Sequence, residues 1–137
     1  MPQHAFVVEN PPGPDPLKIV PYEVDIYRND QNLIWKILAQ GWGWSPNHNP
    51  AIDIGDGWTG TTPSPVGDPP GPGELDRRLY SAHGPGPNEG TEPVLYTYIA
   101  WVTDDPDASV DRDRKIRAMD VVRQLPIDPE VGNQPQP

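Results

Sequence analysis

Val94-Leu95-Tyr96-Thr97-Tyr98-Ile99-Ala100-Trp101-Val102-Thr103 is a run of ten residues without Gly, Pro or charge. β-Branched and aromatic side chains of this kind fit a pleated surface. Pro93 precedes the run, and the turn Asp104-Asp105-Pro106-Asp107 closes it. The run therefore reads as a strand. Both of its faces are apolar, so it is either a central strand covered on both sides or a strand with one face against a partner.

Two more windows, 22–40 and 107–125, are free of Pro and Gly. Proline cannot donate to a β-ladder and breaks helix interiors, so regular structure concentrates in such windows. In the first, Tyr22, Val24 and Ile26 alternate with Glu23 and Asp25, the period of a half-buried strand. Arg28-Asn29-Asp30-Gln31-Asn32 is a turn cluster. Leu33, Trp35, Ile37 and Ala39 then share one face of a second strand, and the pattern predicts that the two strands form a hairpin. In the second window the acids lead the bases, an order that suits a helix dipole. Yet Ile116, Met119, Val121, Val122 and Leu125 scatter around a helical wheel. A strand paired with 94–103 is the preferred reading there, and a helix is the competing one.

Shorter strand candidates lie at 5–8, 18–20, 51–54 and 75–81. Seven to eight short strands separated by turn-rich loops are the signature of an all-β sandwich or barrel. The expectation is one antiparallel β-sandwich domain of about seven strands over residues 1–137. The loops 62–73 and 83–93 read as stiff, irregular excursions, and 9–17 and 132–137 as extended Pro-rich segments. With 21 Pro and 13 Gly in 137 residues, composition alone sits near the disordered range. Five Trp and five Tyr, clustered in the windows between the punctuation, point instead to a packed core.

The chain has no Cys, which excludes disulfide scaffolds, thiolate metal sites and Cys nucleophiles. Its formal net charge is −10, which disfavours nucleic acid and anionic membrane surfaces as partners. No apolar run is long enough to span a bilayer as a helix. The start, Met1-Pro2-Gln3-His4-Ala5, lacks the basic n-region of a secretory signal, so the default expectation is a cytoplasmic protein.

The Trp35 strand is similar to the buried-Trp strand of immunoglobulin-like sandwiches, and Tyr96-Thr97-Tyr98-Ile99-Ala100-Trp101-Val102 looks like their late central strand. The ending Ile127-Asp128-Pro129-Glu130-Val131-Gly132-Asn133-Gln134-Pro135 resembles the Asp-Pro-Glu-(Ile/Val)-x-Asn-x-Pro endings of small bacterial β-sandwich proteins. The resemblance covers the C-terminal 45 or so residues and the Trp35 strand. It implies an immunoglobulin-like fold. The two Cys of antibody domains are missing, so it implies no antigen-receptor role, and the fold itself leaves function open.

Three groups of residues are candidate sites. Asp105, Asp107, Asp111 and Asp113, with Asp104 and Ser109, put oxygen at nearly every second position, as a Ca²⁺ loop requires. Counted as an EF-hand from Asp105, the loop has Val110 where Gly is needed and Ile116 where a bidentate Glu is needed. A solvated acidic turn is the plainer reading. Trp42 and Trp44 stand among glycines beside Asn47 and His48, with Trp58 downstream, an arrangement that suits an aromatic contact site; capping of the core by Trp42 or Trp44 is the plainer reading. His4, His48 and His83 share no metal-ligand spacing. Ser45, Ser64, Ser81 and Ser109 lie in no nucleophile elbow, and no phosphate loop or acid–base pair stands out.

The sequence thus predicts a non-catalytic protein-interaction or structural module, an accessory subunit binding a protein partner or itself. Trp42, Trp44 and Trp58 would be its anchor and the acidic turn 104–113 would steer basic surfaces. The alternative is a carbohydrate-binding module on the same Trp residues, with Ca²⁺ as an assisting ion and no other cofactor.

Overall fold

A computed structural model describes residues 3–10, 16–21, 23–26, 32–55, 57–84 and 88–126. Tyr22, Tyr27, the turn cluster 28–31, most of the Pro-rich segment 9–17 and the whole ending 127–137 lie outside the described residues.

The fold is all-β. Its strands are β1 (Gln3–Glu9), β2 (Leu17–Val20), β3 (Glu23–Ile26), β4 (Asn32–Ile37), β5 (Gly43–Trp44), β6 (Ile52–Ile54), β7 (Ser64–Pro65), β8 (Tyr80–His83), β9 (Val94–Thr103) and β10 (Asp113–Gln124). One sheet has the order β2-β1-β4-β8-β7. The other runs β3-β10-β9-β5, with β6 also paired to β9. The 94–103 run is a central strand, as its composition demands. The 107–125 window forms a strand rather than a helix: β10 pairs antiparallel with β9 from Asp113↔Thr103 to Gln124↔Val94. Its imperfect alternation has a physical cause, a register shift between Arg117 and Val121 that spends extra residues on β10.

Three expectations need correction. First, the strands of the 22–40 window do not form a hairpin. β3 pairs parallel with β10 in one sheet, whereas β4 lies between β1 and β8 in the other. Alternation fixes which residues face the core, and it says nothing about which neighbour a strand takes. Second, the sheets are mixed rather than antiparallel, because β1 runs parallel to β4 and β3 parallel to β10. Third, the described residues hold ten strands rather than about seven. The two-residue strands β5 and β7 sit in Gly- and Pro-rich stretches, and of the 75–81 candidate only the end, from Tyr80, is ladder-paired as β8.

Inward positions of both sheets make one core. Ala5, Val7, Leu17, Ile19, Leu33, Trp35, Ile37, Tyr80 and Ala82 come from the first sheet, and Val24, Ile26, Trp44, Ile52, Tyr98, Ala100, Val102 and Val122 from the second. Two edge-on aromatic pairs cross between the sheets: Trp35 with Tyr98 at 5.7 Å and Trp44 with Tyr80 at 5.0 Å. Such pairs add about 1 kcal/mol each to the area they bury. At one side the sheets are tied directly, because the Trp44 N–H donates to the Asp76 carbonyl at 2.7 Å. Gly43 makes that approach possible: a Cβ there would sit 2.8 Å from both the N and the O of Asp76. At the other side β2 passes into β3 through Pro21 and so changes sheet. Among the described residues no helix is long and apolar enough to cross a membrane.

Candidate interaction surface

β5 and β6 are two halves of one interrupted strand beside β9. The Ser45 N–H donates to the Trp101 carbonyl and the Trp101 N–H donates to the Ala51 carbonyl, so the ladder resumes after an excursion of five residues, 46–50. That excursion folds over the outer face of the sheet. It stacks the His48 ring on Trp101 at 3.8 Å, with the planes 3° apart. It also brings His48 Nε2 to 3.5 Å from Asp113 Oδ2. Ser45 Oγ donates to Asp113 Oδ1 at 2.7 Å, and Asn47 Nδ2 reaches the same carboxylate at 3.3 Å and the Ala108 carbonyl at 2.9 Å.

Asn47, His48 and Asp113 are therefore together, although the sequence assigned them to two different sites. The cluster fastens loops. Ser45 is 1% exposed and its hydroxyl faces a carboxylate directly, with no base between them that could activate it. The other acids of the turn serve the turn itself. Asp105 accepts from the N–H groups of Asp107 and Ser109, and Asp104 holds Arg112 through two hydrogen bonds. The Arg112 guanidinium keeps the Asp104 carboxyl below the usual carboxylate range. Asp107 and Asp111 are exposed on the turn. Among the described residues no three His, Asp or Glu side chains gather closely enough to hold a metal ion.

Trp58 stands apart from Trp42 and Trp44. Trp44 is 1% exposed, and its indole N–H donates to the Arg78 carbonyl at 2.6 Å. Trp58 packs edge-on against Tyr96 at 5.1 Å and donates to the Thr61 carbonyl. Trp42 is also packed against the core. Trp44 pairs with Val102, six residues along β9 from Tyr96, so Trp44 and Trp58 stand about 20 Å apart. They do not form one platform. Burial also raises the Tyr80 and Tyr96 phenols above their ordinary range, and the Tyr80 hydroxyl accepts the Ala51 N–H.

A surface that the sequence reading passed over lies on the opposite sheet. The outward positions of β2-β1-β4-β8-β7 carry Val20, Phe6, Val8, Ile34 and Leu38. Phe6 pairs with Val20 on one side and Lys36 on the other. Beyond Lys36, the Trp35↔Tyr80 register puts Leu79 alongside, and the Val66 N–H donates to the Leu79 carbonyl at 2.8 Å. A band that is apolar except for Lys36 at its centre on β4 thus runs from β2 to β7, about 19 Å from edge to edge. Leu38 is 47% exposed, Leu79 39% and Val66 55%, half of the large exposed apolar residues among those described. Lys18 and Lys36 are the charged side chains at the outward positions, and no carboxylate occupies one. An open hollow of about 290 Å³, lined by Val8, Glu9, Leu38, Ala39 and Gln40, adjoins the band.

The signal for this face was present in the sequence. In Leu33-Ile34-Trp35-Lys36-Ile37-Leu38, Ile34 and Leu38 occupy the positions that a one-sided strand gives to polar residues. The chain matches no protein-family model, and no curated protein is significantly similar to it.

Proposed function

We propose that this chain is a non-catalytic interaction or structural module on an immunoglobulin-like sandwich. The observation that carries the reading is the row Val20–Phe6–Lys36–Leu79–Val66, apolar except for Lys36, with Leu38 and Ile34 beside it on one sheet face. A contiguous exposed apolar patch on a sheet face is often functional. The immunoglobulin-like reading draws support from Trp35 in the core on β4, from the late central strand β9, and from the edge strand β3 running parallel to the last described strand, β10. The β1–β2 hairpin, which puts β1 parallel to β4, is an addition to that pattern.

The test is position-specific. A photo-cross-linking residue placed at Leu38 or Val66 forms an adduct in the native cell, and one placed at Asp107, in the acidic turn, does not. Lys36→Glu at the centre of the face abolishes the adduct while leaving the circular dichroism spectrum unchanged. No adduct from any position on the face removes the basis of the reading.

A further inference from the structure

We propose that the apolar face of the β2-β1-β4-β8-β7 sheet receives the 88–95 lip of a second copy of this chain, so that the molecules associate head to tail. The inference rests on reading that face as a contact surface and names its occupant. Among the described residues six large apolar side chains are exposed. Leu38, Val66 and Leu79 belong to the face. Leu95 at 58% projects at a second site at the start of β9, Val94 at 39% points to the other face of that strand, and Val110 lies elsewhere.

The two sites are opposite in charge. The face carries Lys18 and Lys36. The lip carries exposed Glu89 and Glu92, and no base lies within 88–95. Arg123, beside Leu95 in the ladder, is committed to Asp25 through two hydrogen bonds of 3.0 Å. The lip is also preformed. Asn88, 9% exposed, donates to the Glu92 carbonyl at 2.9 Å and accepts the Gly90 N–H at 3.0 Å. Little conformational freedom is then left to lose on docking. The hollow between Val8 and Leu38 is the recess beside the face, and Leu95 is the more exposed of the lip's two large apolar side chains. Glu9 also lines the hollow, whereas Lys18, opposite Val8 in the ladder, stands on the outward side of the sheet.

Self-pairing of the face is disfavoured. Lys36 stands on the middle strand, so a two-fold copy would bring Lys36 near its own mate with no outward carboxylate between them. Face against lip is a heterologous contact. It extends into chains unless its rotation closes a ring. One lip on part of one sheet face is a small contact beside the ~800 Å² per partner of a standard interface, so association is weak.

Sedimentation velocity of the full chain tests this from about 10 µM to about 1 mM at ~0.15 M salt, where charges more than a few ångströms beyond the contact are screened. The sedimentation coefficient should rise with concentration without levelling at a dimer. Lys36→Glu and Leu95→Asp should each weaken association about tenfold or more. Lys36→Glu combined with Glu92→Lys should recover most of it, a rescue that a folding defect cannot mimic. A single monomeric species at the highest concentration, a closed two-fold dimer, or indifference to these substitutions overturns the proposal. The two readings fail separately. A Val66 cross-link to a different protein, with the chain monomeric, leaves the interaction reading standing and ends this one. No cross-link at all ends both.

Discussion

Asp113 shows how much one side chain can fix. It is 5% exposed, and its two oxygens meet Ser45 Oγ, Asn47 Nδ2 and His48 Nε2. Asn47 and His48 lie on the excursion between β5 and β6 and Ser45 lies at its start, so this carboxylate helps to hold 46–50 over Trp101. The cost of removing it is asymmetric. Asp113→Ala leaves the Ser45 hydroxyl buried without its acceptor, and a lost hydrogen bond to a charged group is worth about 2 kcal/mol. Asp113→Ala should therefore lower unfolding stability by about 2 kcal/mol and Asp113→Asn by about half of that, measured by urea titration. The Ala variant should also shift the emission of Trp101, whose ring loses the stacked His48. A loss below about 0.5 kcal/mol would mean that water replaces these contacts at no cost.

At the scale of elements, the end of β4 depends on a partner that no local pattern announces. Arg77 Nη1 donates to the Ala39 and Trp42 carbonyls at 2.7 and 2.6 Å, and Nη2 donates to the Ile37 carbonyl at 3.1 Å. One guanidinium satisfies three carbonyls where the chain leaves β4 and turns toward β5. Lysine presents a point charge rather than a planar fork, so Arg77→Lys should recover less than half of the stability that Arg77→Ala loses. The expected loss for Arg77→Ala is about 2 kcal/mol by thermal denaturation, and full rescue by Lys would show that charge alone suffices. Arg77 also illustrates what was legible. The apolar runs of β4 and β9, the alternation of Val24 and Ile26 in β3, and the strand nature of 113–124 are local properties, and local sequence carries them. The neighbour of β3, the Arg77 carbonyl clamp and the meeting of Asn47 with Asp113 join residues 35 to 98 positions apart. No spacing rule reaches that far. The contact face was missed for another reason: Trp42, Trp44 and Trp58 drew the reading because Trp is enriched at contacts, whereas Phe6, Ile34, Leu79 and Val66 look ordinary until the sheet aligns them.

The whole molecule carries 20 acids against 10 bases. Three described Arg–Asp pairs, Arg78–Asp76, Arg112–Asp104 and Arg123–Asp25, involve side chains that are partly exposed to solvent, from 13% at Asp76 to 52% at Arg112. Exposed pairs of this kind contribute about 0–1 kcal/mol each. Most of the other described carboxylates are exposed to water, so folding concentrates like charge that the unfolded chain spreads out. Screening then favours the folded state more than it weakens the pairs. Between about 20 mM and about 0.5 M NaCl at neutral pH, the melting temperature should rise by roughly 3 °C or more. Chloride is the right probe, since sulfate would add preferential exclusion to the effect. Arg112→Ala should leave the slope of Tm against salt almost unchanged, because the Arg112–Asp104 pair is largely solvated. A Tm that falls with NaCl would mean that the ion pairs outweigh the self-repulsion. The acidic surface would then have to be counted as part of what stabilises the fold.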